Sequence, residues 1–194
     1  MSTRQKILEA VYQSIGEKGF GATNINEVVQ QIGLTKGAFY YYFKDGKDEV
    51  GLAVIDELIL PRYLKRWEKI TSSKTNPLRF LVDQLKRDIK KMETEEQIPP
   101  EPFFQLLREY AYRDHPFGER LQFILGNLHE SITVGLRKGI KNKQVKSKIK
   151  ARQESWQILS SLQGAYLSAS ISQDYKVLVR VLKSQIRIIE GLAA

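Results

Sequence analysis

Residues 23–43 read Thr-Asn-Ile-Asn-Glu-Val-Val-Gln-Gln-Ile-Gly-Leu-Thr-Lys-Gly-Ala-Phe-Tyr-Tyr-Tyr-Phe, and this stretch decides the fold. Ile25, Val28, Val29 and Ile32 recur at helical spacing, which predicts a short helix with one apolar stripe. Gly33 ends it, because glycine enters the left-handed conformation without steric cost. Thr35 then stands where an N-cap belongs, its hydroxyl placed to satisfy an orphan amide of a second helix. Helix, glycine turn and helix in that order form a helix-turn-helix signature.

On a helical wheel the second helix divides by chemistry. Phe39 and Phe43, four residues apart, face the first helix's stripe. Lys36, Gly37, Tyr40, Tyr41 and Lys44 fall on the opposite side, with Tyr42 between the two faces. Tyrosine hydroxyls and lysine ammoniums donate to phosphate oxygens, and Gly37 leaves room for a base edge to approach the backbone. Three consecutive tyrosines are also what a half-buried aromatic face would contain. Flanked by Lys36 and Lys44 in this frame, they are better read as a DNA-contacting face.

Residues 3–54 resemble the N-terminal domain of TetR/AcrR transcriptional regulators. The resemblance rests on Thr3-Arg4-Gln5-Lys6-Ile7-Leu8-Glu9-Ala10, Gly19-Phe20-Gly21-Ala22-Thr23, Gly33-Leu34-Thr35-Lys36-Gly37 and Phe39-Tyr40-Tyr41-Tyr42-Phe43, in order and at the right spacing. The link Lys44-Asp45-Gly46-Lys47 is one residue longer than the family's commonest version, which shifts the register of the next helix. The resemblance implies a DNA-binding domain over 1–46 and a ligand-binding and dimerisation domain over 47–194. It further implies phosphate contacts from Thr23, Tyr42 and Lys47, beside a recognition helix that Thr35 caps and whose Lys36, Gly37, Tyr40 and Tyr41 are expected to meet the major groove. Repression of a palindromic operator by a homodimer, relieved by a small molecule, is the family's usual mode. Beyond about residue 60 only the layout is similar, so no inducer is named.

Composition sets the outer bounds. The 194 residues are 42% hydrophobic, enough for one or two domains with an ordinary core. No cysteine is present, which excludes disulfides and thiolate chemistry and agrees with a cytoplasmic address. The start Met-Ser-Thr-Arg-Gln-Lys holds no apolar run of a signal peptide, and no segment nears the roughly 20 apolar residues of a membrane span. The net charge of +9 is unevenly placed: residues 1–50 hold six basic and six acidic side chains, whereas residues 137–152 hold eight basic and no acidic ones. Bulk charge therefore says little about the DNA face. The basic segment reads as a solvated connection, with nucleic-acid or anionic-membrane contact as the other reading. The resemblance implies that it lies at the end of the ligand domain far from the operator, which argues against a direct part in operator binding.

The remaining pattern is helical throughout. A first helix over Thr3–Lys18 buries Ile7, Leu8, Val11, Tyr12 and Ile15. After the helix-turn-helix, spacing predicts helices over about 47–70 with a kink at Pro61, then 78–92, 103–112, 117–141, 153–172 and 174–192. Polar breaks fall at 71–77 and 93–102. The expected fold is all-α: a three-helix DNA-binding domain followed by six helices, nine in all.

The last helix carries Val177, Leu178, Val179, Val181, Leu182, Ile186, Ile188, Ile189 and Leu192, over half its circumference. One core needs one stripe, so a second face is expected to meet another copy. Ser161, Gly164, Ala165, Ser168, Ala169 and Ser172 add a strip of small residues, suited to close approach between copies or within one. Aromatics scattered over the middle helices are mostly core; Phe80, Phe104, Phe123, Trp156 and Tyr166, with Asn127 and Gln163, are the expected lining of a mostly apolar ligand pocket. No metal or cofactor is expected. His115 and His129 lack metal-ligand spacing, and neither a phosphate loop nor a Gly-x-Ser-x-Gly elbow occurs, so no enzyme is expected. The rival reading is a helical interaction or membrane-surface module using its basic segment.

Overall fold

The computed structural model describes residues 1–72, 74–110 and 115–194. The α-helices are α1 Thr3–Lys18, α2 Ile25–Gln31, α3 Lys36–Tyr42, α4 Lys47–Val54, α5 Leu60–Trp67, α6 Pro77–Glu95, α7 Pro102–Tyr110, α8 Pro116–Lys141, α9 Ala151–Ser172 and α10 Tyr175–Glu190. A π-helical turn, Ile55–Ile59, joins α4 to α5 without a break. Counting that run once gives nine helices among the described residues, and the class is all-α as expected. No strand occurs among them, only an isolated antiparallel bridge between Val145 and Ala193. No helix of the described residues is long and apolar enough to cross a membrane.

Local chemistry explains most boundaries. Ser2, Asn24, Thr35, Asn76 and Asp174 each accept an amide hydrogen bond in the first turn of α1, α2, α3, α6 and α10. Gly33 has φ 71°, the left-handed turn anticipated for it. Near Pro61 the irregularity is a widened turn: Leu60 N–H donates to the Ile55 carbonyl, five residues back. Proline has no amide to donate and its ring crowds the carbonyl four residues earlier, so the π turn relieves that conflict upstream of it. The helix foreseen to stop at Met92 continues to Glu95, placing Glu93 and Glu95 in its last turn and not in a loop. The end foreseen at Tyr112 lies outside the described residues.

Two compact units divide the chain, Met1–Tyr63 with Pro100–Leu125 and Leu64–Pro99 with Gly126–Ala194. In the first, α1 buries Ile7, Leu8, Val11 and Ile15 and packs on α2, α4 and α7. Three ion pairs fasten its helices: Arg4 on Glu57 at 2.5 Å, Arg62 on Glu9 at 2.7 Å and Arg120 on Asp56 at 3.0 Å. Beneath them Phe20, Tyr110 and Phe117 meet pairwise, with centroids 4.9–5.9 Å apart. Gly51 makes room for that cluster, since a Cβ there would lie 2.5 Å from Phe117 Cζ.

In the second unit α10 packs on α9 and α6, burying Leu178, Val179, Leu182, Ile186 and Ile189. The segment after α8 is pinned to the C-terminus. Lys146 N–H donates to the Leu192 carbonyl at 3.0 Å, Ala194 N–H to the Gln144 carbonyl at 3.4 Å, and Val145 is buried.

Phe117 has no exposed surface, so Phe117→Ala should cost about 3–5 kcal/mol in urea unfolding, with the cavity adding to lost burial. Hydrogen bonding from Arg4 holds the Glu57 carboxyl below its ordinary range. Its stabilisation is then complete above the unfolded carboxyl value of about 4.3 and lost as pH falls through the lower folded value. Both side chains are partly solvated, so the effect is about 0–1 kcal/mol. Glu57→Gln should flatten the acid limb of stability against pH by that amount.

Candidate nucleic-acid interface

The recognition helix α3 is held by its buried side. Phe39 and Phe43 are each 1% exposed, their rings 5.5 Å apart, and the Arg4 guanidinium lies 5.3 Å from the Phe43 ring centroid. The opposite side faces out: Tyr41 is 75% and Tyr40 44% exposed, and Lys36 and Gly37 are exposed beside them. Thr35 Oγ1 accepts from Ala38 N–H at 3.1 Å, as an N-cap should. Lys36 Nζ stands 5.8 Å from the Tyr40 ring, and Tyr41 meets half-buried Tyr42 edge-on at 4.9 Å. These contacts orient the tyrosines without covering the outer face.

Thr23 is a correction. Its side chain is 2% exposed, its hydroxyl donates to the Gly19 carbonyl at 2.7 Å, and Ser14 Oγ lies 3.1 Å away. With its only proton used inside, that hydroxyl has none for a phosphate; Asn24 caps α2, accepting from Asn26 N–H at 3.0 Å. Lys47 is half-buried at the start of α4. Its ammonium donates to the Gly21 carbonyl at 3.1 Å and sits 4.7 Å from the Phe20 ring. Burial pushes the Lys47 pKa down, partly opposed by Glu109 and Asp48.

Glu109 was not legible as part of this site. From α7 its carboxylate accepts from Phe20 N–H at 2.9 Å and Gly21 N–H at 2.7 Å. Gly19, at φ 85°, admits that approach, because a Cβ there would lie 2.1 Å from Glu109 Oε1. The turn between α1 and α2 is thus completed by a side chain almost ninety residues away.

The expected ligand lining is drawn from both units. Phe104 and Phe123 belong to the first unit, and Phe80, Asn127, Trp156, Gln163 and Tyr166 to the second. Phe123 and Trp156 are corrections: they are 58% and 43% exposed, because Leu121, Ile124 and Leu128 take the buried side of α8 and Ile158, Leu159 and Leu162 that of α9. Trp156 instead stacks on buried His129 at 4.1 Å. Phe80 is half-buried, 6.0 Å from Trp67. An open groove of about 290 Å³ in the second unit is lined by Lys86, Ile89, Lys90, Glu93, Lys183 and Ile186, none of them foreseen. Within the same unit Trp67 Nε1, Thr133 Oγ1 and Gln185 Nε2 are buried with no hydrogen-bond partner among the described residues. Buried polar atoms ordinarily find a partner, so these three are further candidates to meet a polar ligand. Burial alone reveals them; their sequence context does not.

A capped helix presenting lysine, glycine and tyrosines outward, above two buried phenylalanines, defines a helix-turn-helix DNA-binding protein. The family model for bacterial regulatory proteins of the tetR family matches residues 7–54. An uncharacterized HTH-type transcriptional regulator in the lacX 3′ region of Lactococcus lactis subsp. lactis is 31% identical over 182 residues, 91% of this chain and 88% of that protein. Reduced NemR of E. coli superposes with a TM-score of 0.80 at 18% identity, covering 99% of this chain and 97% of that one. A TetR regulatory protein from Rhodobacter sphaeroides gives 0.77 at 18%, over 94% and 96%. The chain belongs to the TetR family of transcriptional regulators. It is a DNA-binding regulator and not an enzyme.

Glu109→Ala should speed hydrogen exchange at the Phe20 and Gly21 amides at least tenfold, while Phe43, bonded within α3, keeps its protection. NMR exchange rates check this. Losing a charge-assisted acceptor of about 1.5–3 kcal/mol sets the scale.

Proposed function

We propose that the chain is a repressor that binds a palindromic operator as a homodimer and is released by a small, mostly apolar ligand. Residues 1–46 serve DNA binding and residues 47–194 ligand binding and dimerisation, in the cytoplasm where the operator is. The observation that carries the DNA reading is the exposure of Tyr40 and Tyr41 over buried Phe39 and Phe43. Lys36, Gly37, Tyr40 and Tyr41 meet the major groove, Thr35 caps the helix beside them, and Tyr42 and Lys47 address phosphates.

Dimerisation is supported by two part-exposed stripes. Trp156, Gln163, Leu167 and Ile171 recur along one face of α9, with Leu167 40% and Ile171 75% exposed. On α10, Val177, Val181, Ser184 and Ile188 form a second stripe, Ile188 being 48% exposed. Helices of one core need a single apolar face, and these two have more. The small-residue strip divides: Ala165 and Ala169 are buried within the unit, whereas Gly164 and Ser168 lie outside. For the inducer, half-buried Phe80, Asn127 and Tyr166 and the orphaned Trp67, Thr133 and Gln185 groups are the lining to test. An inducer that favours one state of the dimer must be bound more weakly when DNA is present, by the same factor, about 5–150-fold.

Lys36→Ala and Tyr41→Ala should each weaken binding to a duplex selected by the parent, by about 1–3 kcal/mol if the lost contact reads a base. Titration at several salt concentrations checks this, and parent-like binding by both would reject the recognition helix. Ile171→Glu should leave the fold intact and convert dimers to monomers in sedimentation at micromolar concentration. A persistent dimer would place the interface elsewhere.

A further inference from the structure

We propose that residues 137–152 form a second DNA surface, one that grips the phosphate backbone of duplex DNA without regard to sequence. Charge is segregated between the compact units. The first, which carries the recognition helix, holds ten Lys and Arg against twelve Asp and Glu, net −2. The second holds twenty-one against ten, net +11, and eight of those cations stand in residues 137–152 with no acid among them. Sequence-independent affinity for DNA comes from cations that displace counterions. The unit bearing the recognition helix has no surplus of them; the other unit has a concentrated one.

The segment is built to display its charges. Arg137, Lys138, Lys141, Lys143, Lys146, Lys148, Lys150 and Arg152 are all exposed. Lys138 donates to the Thr71 carbonyl and Lys146 to the Gly191 carbonyl, partners that leave the cationic charge uncompensated. The other six side chains make no ion pair or hydrogen bond among the described residues. Buried Val145 and the bridge to Ala193 pin the stretch, so the lysines are held on a structured turn and not on a loose tail. At the start of α9 three cations, Lys148, Lys150 and Arg152, stand against one acid, Glu154, at the positive end of a 22-residue helix that has no side-chain cap, an arrangement that leaves net repulsion there. A bound polyanion relieves that repulsion.

Duplex DNA fits the segment better than a lipid surface or single strands. Its apolar residues point away from solvent, Val145 buried and Ile140 and Ile149 half-buried, and no aromatic occurs between 137 and 152. Nothing is left to insert among lipid headgroups or to stack on unpaired bases. A duplex asks only for cations.

Lys143→Asn, Lys148→Gln and Lys150→Gln in one chain remove three charges that make no ion pair or hydrogen bond among the described residues. Binding to a 30-base-pair duplex of scrambled sequence would be titrated at several salt concentrations, for this triple variant and for the parent. Each phosphate contact contributes a slope of about −0.9 in log affinity against log salt. The triple variant should lose about two to three units of slope and at least tenfold in affinity at low salt. Operator selection from a random pool by the triple variant should still succeed, which separates this surface from the recognition helix. Parent-like slope and affinity in the triple variant would overturn the proposal. So would capture by phosphatidylserine vesicles that depends on the three lysines while duplex binding does not.

Discussion

Two backbone amides that their own turn cannot satisfy, those of Phe20 and Gly21, organise the DNA-binding half of this protein. Both donate to one carboxylate, Glu109 of α7, and the Lys47 ammonium closes the same turn by donating to the Gly21 carbonyl. The Phe20 amide is part-buried, and left unpaired it costs more than a hydrogen bond gains, so the shape of this turn depends on α7. Phe20 then enters the cluster with Tyr110 and Phe117, and Gly51 lets α4 close over it. The helix-turn-helix is therefore not a free-standing module in physical terms. Its first loop is completed by a helix from far along the chain.

That dependence gives the first unit a route by which a change in α7 would be felt at α1. α1 buries its stripe against α2 and α7, and Arg4 reaches both Glu57 and the Phe43 ring at the end of α3. A side-chain network with discrete partners moves as a set or not at all, because packed interiors resist partial shifts. Glu109 and Lys47 meet at the turn after α1, and Arg4 ties α1 to Glu57 and to the Phe43 ring at the end of α3.

The two units differ in charge. The unit that carries the recognition helix is slightly acidic, so on the proposed reading its hold on DNA would rest on placed hydroxyls, a few lysines and backbone approach at Gly37. The strongly basic unit presents its cations on one short pinned segment. Placed contacts discriminate sequence, and a dense cationic surface supplies affinity regardless of it.

Periodicity and capping chemistry are enough to read the helices, because each is set by neighbours within four residues: the stripe in α1, the left-handed Gly33, the Thr35 cap, and the split between Phe39 with Phe43 and Tyr40 with Tyr41. The all-α class and the outward face of α3 are likewise written in spacing. Side chains whose role depends on distant partners are not. Thr23 reads as an exposed phosphate contact, yet its hydroxyl turns in to Gly19 and Ser14. Phe123 and Trp156 are indistinguishable from core aromatics by spacing, yet they lie outside because other apolar residues take the buried arc of the same helices. Glu109 carries no local signal at all. Which residues share a helix face follows from short-range geometry and can be read from spacing. Which face is buried, and which distant carboxylate completes a turn, depend on contacts that close only when the chain has folded.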